Sequence, residues 1–170
     1  MSFLQRIFGE KKEGAALAPL YRAIVARGRD PFWYREGLVP DTLDGRFDMV
    51  AAVTALVLLR LESLGDEGKR ASVLLTERFV DDMDATLRQI GIGDYVVGKQ
   101  VGRMMSALGG RLAAFREAGD GGFAGAVRCN VFHEAPPSED AVALVAGRLE
   151  SLAESLRATG LDALAAGALP

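Results

Sequence analysis

Residues 47–64 read Phe47-Asp48-Met49-Val50-Ala51-Ala52-Val53-Thr54-Ala55-Leu56-Val57-Leu58-Leu59-Arg60-Leu61-Glu62-Ser63-Leu64. The valines and leucines leave almost no polar face in the middle of this stretch. A helix of that kind has to be enclosed by other elements rather than lie on a surface. Its β-branched residues lower helix propensity slightly, a preference that burial overrides. The apolar run from Met49 to Leu59 ends at Arg60 and is too short to cross a bilayer as a helix.

Downstream, Gly65 and Gly68 bracket the next turn, and Ala71 to Ile90 repeats apolar residues at helical spacing. Arg78 with Asp82, and Asp84 with Arg88, have the spacing of helical ion pairs. Gly91 and Gly93 break the pattern, and Asp94 can cap a helix from Tyr95 to Ala118. Gly98 and Gly102 suit close packing, and Gly109-Gly110 predicts a bend or break. Further helices are expected over Phe123 to Phe132, Ser138 to Leu156 and Thr159 to Ala166, with Pro136 and Pro137 in a loop.

Upstream, Gly37 to Pro40 is a connection, with Asp41 or Thr42 available as a cap. Asp30-Pro31 starts a short helix that carries Phe32, Trp33 and Tyr34. Ala15 to Ala26 holds another helix whose regular part starts close to Pro19. Ser2 to Phe8 is a short amphipathic segment followed by Lys11 and Lys12. With no competing strand pattern, the expected fold is all-α, a compact irregular bundle of about six to eight helices. Residues 1–12 are expected to form a mobile or docking N-terminal segment, and residues 13–170 a single helical domain.

The chain has 170 residues, 20 Lys plus Arg against 23 Asp plus Glu, and a net charge of -3. That balance suits one self-sufficient domain and gives no global signal for nucleic acid. The single cysteine, Cys129, rules out an intramolecular disulfide and is expected to be a buried, inert thiol. His133 is the one histidine. A Cys129–His133 pair on one helix lacks an orienting residue and an oxyanion hole. The start of the chain has no long apolar signal-peptide core, which favours the cytoplasm.

Asp81, Asp82 and Asp84 invite a metal or an acid–base pair. They lack an opposing acid-rich helix and the spacing of an EF-hand, so a charged docking face is the better reading. Tyr95 to Arg116 contains Lys99, Arg103, Arg111 and Arg116 but no acid. An acidic turn beside a basic segment can orient a partner of complementary charge. Phe32, Trp33 and Tyr34 either anchor a loop to the core or form a recognition edge. The glycines match neither a dinucleotide fingerprint nor a P-loop, and no catalytic, cofactor or metal residues are assigned.

In combination, Asp30-Pro31-Phe32-Trp33-Tyr34, the central helix, Phe79 through Gly91, Gly93-Asp94-Tyr95 and Val97-Gly98-Lys99 resemble the ubiquinol-cytochrome c chaperone family. The resemblance implies a non-enzymatic assembly factor for the cytochrome bc1 complex, engaging cytochrome b or an early assembly partner. It further implies a bacterial relative on the cytoplasmic side, peripheral at the inner membrane. Candidate partner-binding residues are Phe32, Trp33, Tyr34, Asp82, Asp84, Arg88, Asp94, Lys99 and Arg103. Two other readings stand beside it: a helical binding module for a different membrane protein, and a small-molecule enzyme using an acidic/basic cleft.

Overall fold

The computed structural model describes residues 16–119 and 122–170. The expected N-terminal segment, residues 1–12, lies outside them. The helices are α1 (Ala18–Gly28), α2 (Pro31–Arg35), α3 (Leu43–Glu62), α4 (Gly65–Gln89), α5 (Asp94–Ala118), α6 (Ala124–Asn130), α7 (Glu139–Arg157) and α8 (Leu161–Ala165). The fold is an all-α bundle, with no strand among the described residues.

The central stretch occupies α3, which is buried continuously from Asp48 to Leu58. It packs against α1, α4, α5 and α7, while α6 bridges α5 and α7 and α8 packs on α1. The Thr42 hydroxyl caps α3 by accepting from the Gly45 amide at 3.1 Å. Gly45 has to be small: a Cβ there would lie 1.9 Å from the Pro40 carbonyl oxygen. Asp30 caps α2 through the Phe32 amide and Ser138 caps α7 through the Ala141 amide, so these starts follow the sequence signals.

The turn from α4 to α5 closes as a Schellman motif. Gly91 has φ +85°, its amide donates to the Arg88 carbonyl, and the Ile92 amide donates to the Leu87 carbonyl. Three local expectations fail. Gly68 lies within the first turn of α4 instead of bounding a loop. Gly93, not Asp94, is the N-cap of α5. Finally, α5 runs unbroken through Gly109 and Gly110, because two glycines weaken a helix without removing any of its amide donors. At Gly98 and Gly102 a Cβ would meet nothing within 4 Å, so close packing does not explain them.

Two polar side chains interrupt the buried face of α3. The Thr54 hydroxyl donates to the Val50 carbonyl at 2.7 Å and is satisfied locally. Asp48 looks outward to other elements: one carboxylate oxygen accepts from Arg111 of α5, the other meets His133 Nε2 at 2.7 Å. Arg111, 2% exposed, also donates to the carbonyls of Ala107 and Asn130. Burial is the leading influence on both partners. It pushes the Asp48 carboxyl above its usual range and the Arg111 guanidinium below its own. The pair is held against desolvation as well as by attraction.

Four stability outcomes follow for urea denaturation of the full chain. Asp48→Ala is expected to lose about 3–5 kcal/mol, because Arg111 is left buried without its counter-charge. Replacing both partners, Asp48→Leu with Arg111→Met, should recover most of that loss. Equal destabilisation by the single and double variants would show that the charge is not the source. Separately, Gly45→Ala should cost about 1–3 kcal/mol through its clash, whereas Gly102→Ala should gain about 1 kcal/mol from helix propensity alone.

Candidate functional site

The long α4–α5 hairpin and the start of α3 frame a groove with a volume of about 160 Å³. Its apolar wall comes from Val25 of α1, Leu43, Phe47 and Val50 of α3, Met83 and Leu87 of α4, and Met104 of α5. Leu43, the first residue of α3, is 54% exposed at the edge of the groove. The polar rim is Arg29, Asp44, Arg46, Asp82 and Thr86. Phe47 is held from behind, with Phe79 at 6.1 Å between ring centroids and the Arg111 guanidinium 5.6 Å from its ring.

The acidic cluster lies on helix α4, not in a turn, and its members face different ways. Asp82 accepts from the Tyr21 hydroxyl at 2.8 Å. Burial, then this hydrogen bond to a carboxylate, pushes the Tyr21 hydroxyl above its usual range. The Arg78–Asp82 pair expected from spacing is replaced by this contact between helices. Asp84 and Asp94 share Arg88: Nε of Arg88 donates to Asp84 at 2.6 Å and Nη1 donates to Asp94. The two carboxylates raise the Arg88 guanidinium above its usual range. This network ties the end of α4 to the start of α5 while remaining at the surface. Among the described residues no group of three or more histidine, cysteine or carboxylate side chains is arranged to hold a metal.

Lys99 and Arg103 are exposed on α5, with Arg103 reaching Gln100 at 3.4 Å. The rest of the expected basic face divides. Arg116 pairs with Glu62 at 2.7 Å, and Arg111 is withdrawn into the core on Asp48. Of the exposed cations of α5, Lys99 and Arg103 lie in its N-terminal half, toward the Arg88 network, and Arg116 lies in its last turn on Glu62.

The aromatic candidates form a joint between α1, α2 and α7. Trp33 is fully buried and its indole N–H donates to the Arg27 carbonyl at 2.7 Å. Tyr34 donates to the Gly28 carbonyl at 2.8 Å, and burial pushes its hydroxyl up to about 12. Phe32 meets Trp33 edge to face and carries the Arg148 guanidinium 4.1 Å from its ring centroid. Arg148 also donates to Asp30 at 2.9 Å. The rings are organised by this chain's own contacts and lie apart from the groove lining.

Cys129 corrects an expectation. It is exposed, and its thiol donates to Glu134, which raises it above the usual thiol range. A seven-residue helix has one inward face, and Ala126 and Val127 take it. Cys129 and His133 have separate partners, Glu134 and Asp48. The groove-lining residues that sequence reasoning passes over are Leu43, Phe47 and Met104, whose apolar character alone does not distinguish a groove from a core.

The comparisons agree with this architecture. The family described as Ubiquinol-cytochrome C chaperone matches residues 35–169. No curated protein matches the chain. A solved structure described as the crystal structure of the Cbp3 homolog from Brucella abortus is similar, at 26% identity and a TM-score of 0.75. That match covers 98% of this chain and 94% of the other. The groove-forming helices α3, α4 and α5 and the Arg88 network lie within the matched span, and the chain belongs to the ubiquinol-cytochrome c chaperone family.

Proposed function

We propose that this chain is a non-enzymatic assembly chaperone for the bc1 complex that holds cytochrome b, or an early assembly partner, in the groove between α1, α3, α4 and α5. The observation that carries the reading is an open apolar groove, with the exposed Leu43 at its edge, in a chain of this family. An assembly intermediate of a membrane protein exposes apolar helix surface before its neighbours arrive. Met83 and Met104 give the groove side chains that adapt to different apolar shapes.

The charged groups supply orientation rather than chemistry. Asp82, Asp84, Arg88, Asp94, Lys99 and Arg103 would set how a client approaches, with Asp82 on the groove rim itself. Phe32, Trp33 and Tyr34 support the surface indirectly by fixing α1 and α2. The proposed place of action is the cytoplasmic face of a bacterial inner membrane, where such a client is inserted. The action is stoichiometric: binding one conformation of a client and releasing it to the complex.

Tagged protein should recover cytochrome b and other bc1 components from detergent-solubilised membranes, read by haem absorbance and peptide identification. Leu43→Glu with Met104→Glu should lower that recovery about tenfold or more, because each charge would be carried into an apolar contact. Reproducible absence of bc1 components from the unaltered protein would overturn the assignment. Recovery of a different membrane protein would instead favour a general helical binding module. In the same assay, Arg88→Glu should weaken capture several-fold without changing the melting temperature, since its partners lie at the surface.

A further inference from the structure

Away from the groove, the α2–α3 connection and the α6–α7 connection face each other across a second cleft of about 270 Å³. Leu38, Pro40 and Thr42 form one side, Phe132, His133 and Pro137 the other, with Asp48 at the floor. The non-glycine residues with positive φ among the described residues are Leu38 (55°), His133 (49°) and Glu134 (64°). All of them lie in these two connections. Such backbone conformations persist only where surrounding contacts enforce them. Here the enforcing contact for one wall is visible: His133, its side chain 64% exposed, reaches down to the buried carboxylate of Asp48.

We propose that residues 131–138 are a strap over this cleft, with His133 as its catch and the Asp48–Arg111 pair as the fixed post. The chemistry of the catch is specific. Asp48 accepts from Arg111 through one oxygen, and in the proposed catch the imidazole nitrogen 2.7 Å from the other is the donor. The bond therefore needs an N–H at that position and does not need a charged ring. Arg111 secures the near end of the strap through the Asn130 carbonyl, and Ser138 fixes its far end as the cap of α7. Between these points the catch is a side-chain hydrogen bond from the strap to α3. When it is released, the strained backbone of His133 and Glu134 can relax. The motion widens the cleft beneath residues 133–137, while Val131 and Phe132 stay packed in the apolar core and act as its hinge. The strap gives the protein a second cleft that it can open or close, independent of the groove.

Hydrogen exchange of the intact chain, followed by mass spectrometry, tests this with His133→Ala and His133→Gln. Glutamine places an amide N–H close to the position of Nε2. His133→Ala should speed exchange about tenfold over 131–138 and in the facing 37–42 connection, the scale of one lost hydrogen bond. Helices α3 and α5 should keep their protection, and His133→Gln should restore most of the closed behaviour. Unchanged exchange in His133→Ala would overturn the strap. So would a uniform rise through the bundle, which would make His133 a general stabiliser, or His133→Gln behaving like alanine. None of these readouts depends on client binding, so failure here leaves the groove assignment standing.

Discussion

A helix that is apolar on every side has to be enclosed, and α3 imposes that condition on the whole chain. Helices α1, α4, α5 and α7 close around it. Gly28 of α1 meets Val50 with no room for a side chain between them, since a Cβ there would lie 2.7 Å from the Val50 Cα. Enclosure also makes any polar group on α3 a demand on its neighbours. Asp48 is met by Arg111 from α5 and His133 from the α6–α7 connection. One carboxylate thus aligns three separated parts of the sequence. Its burial is unfavourable in itself, and the benefit is positional: few other packings would satisfy all three groups.

The surface organisation follows from that enclosed core. With α3 filled from several directions, the start of α3 and the adjoining faces of α1, α4 and α5 still leave a groove. Phe47 belongs to both regions, backed by Phe79 and Arg111 and facing the groove with its remaining edge. The Arg88 network sits at the tip of the α4–α5 hairpin and joins two helices by charge instead of apolar contact. This separation of apolar cavity and charged tip suits the proposed chaperone role. Under that proposal one part would hold client surface, and the other would orient its approach.

The fold class and most helix starts were legible because they depend on local chemistry. Asp30, Thr42 and Ser138 cap helices through their own neighbours, and the apolar density of 47–64 announces burial whatever it packs against. Direction was harder to read. Arg111 lies inside the core because its partners Asp48 and Asn130 are brought near only by the tertiary fold. Cys129 is exposed because the short α6 has one buried side and smaller residues occupy it. Of the groove lining, Asp82 alone stands among the candidates read from the sequence. Leu43, Phe47 and Met104 look like core residues until the packing shows which neighbours they lack.

Helix α5 carries Gly98, Gly102, Gly109 and Gly110, and the first three meet open space where a side chain would be. Each lowers helical stability by about 1 kcal/mol relative to alanine. Their consequence is mechanical compliance. The wall of the groove that bears Met104 is the one whose backbone resists deformation least, while the opposite wall, α3, is clamped on all sides. A client pressed between them would meet an anvil on one side and a spring on the other. The cavity could then accept client side chains of different size without disturbing the core that supports it.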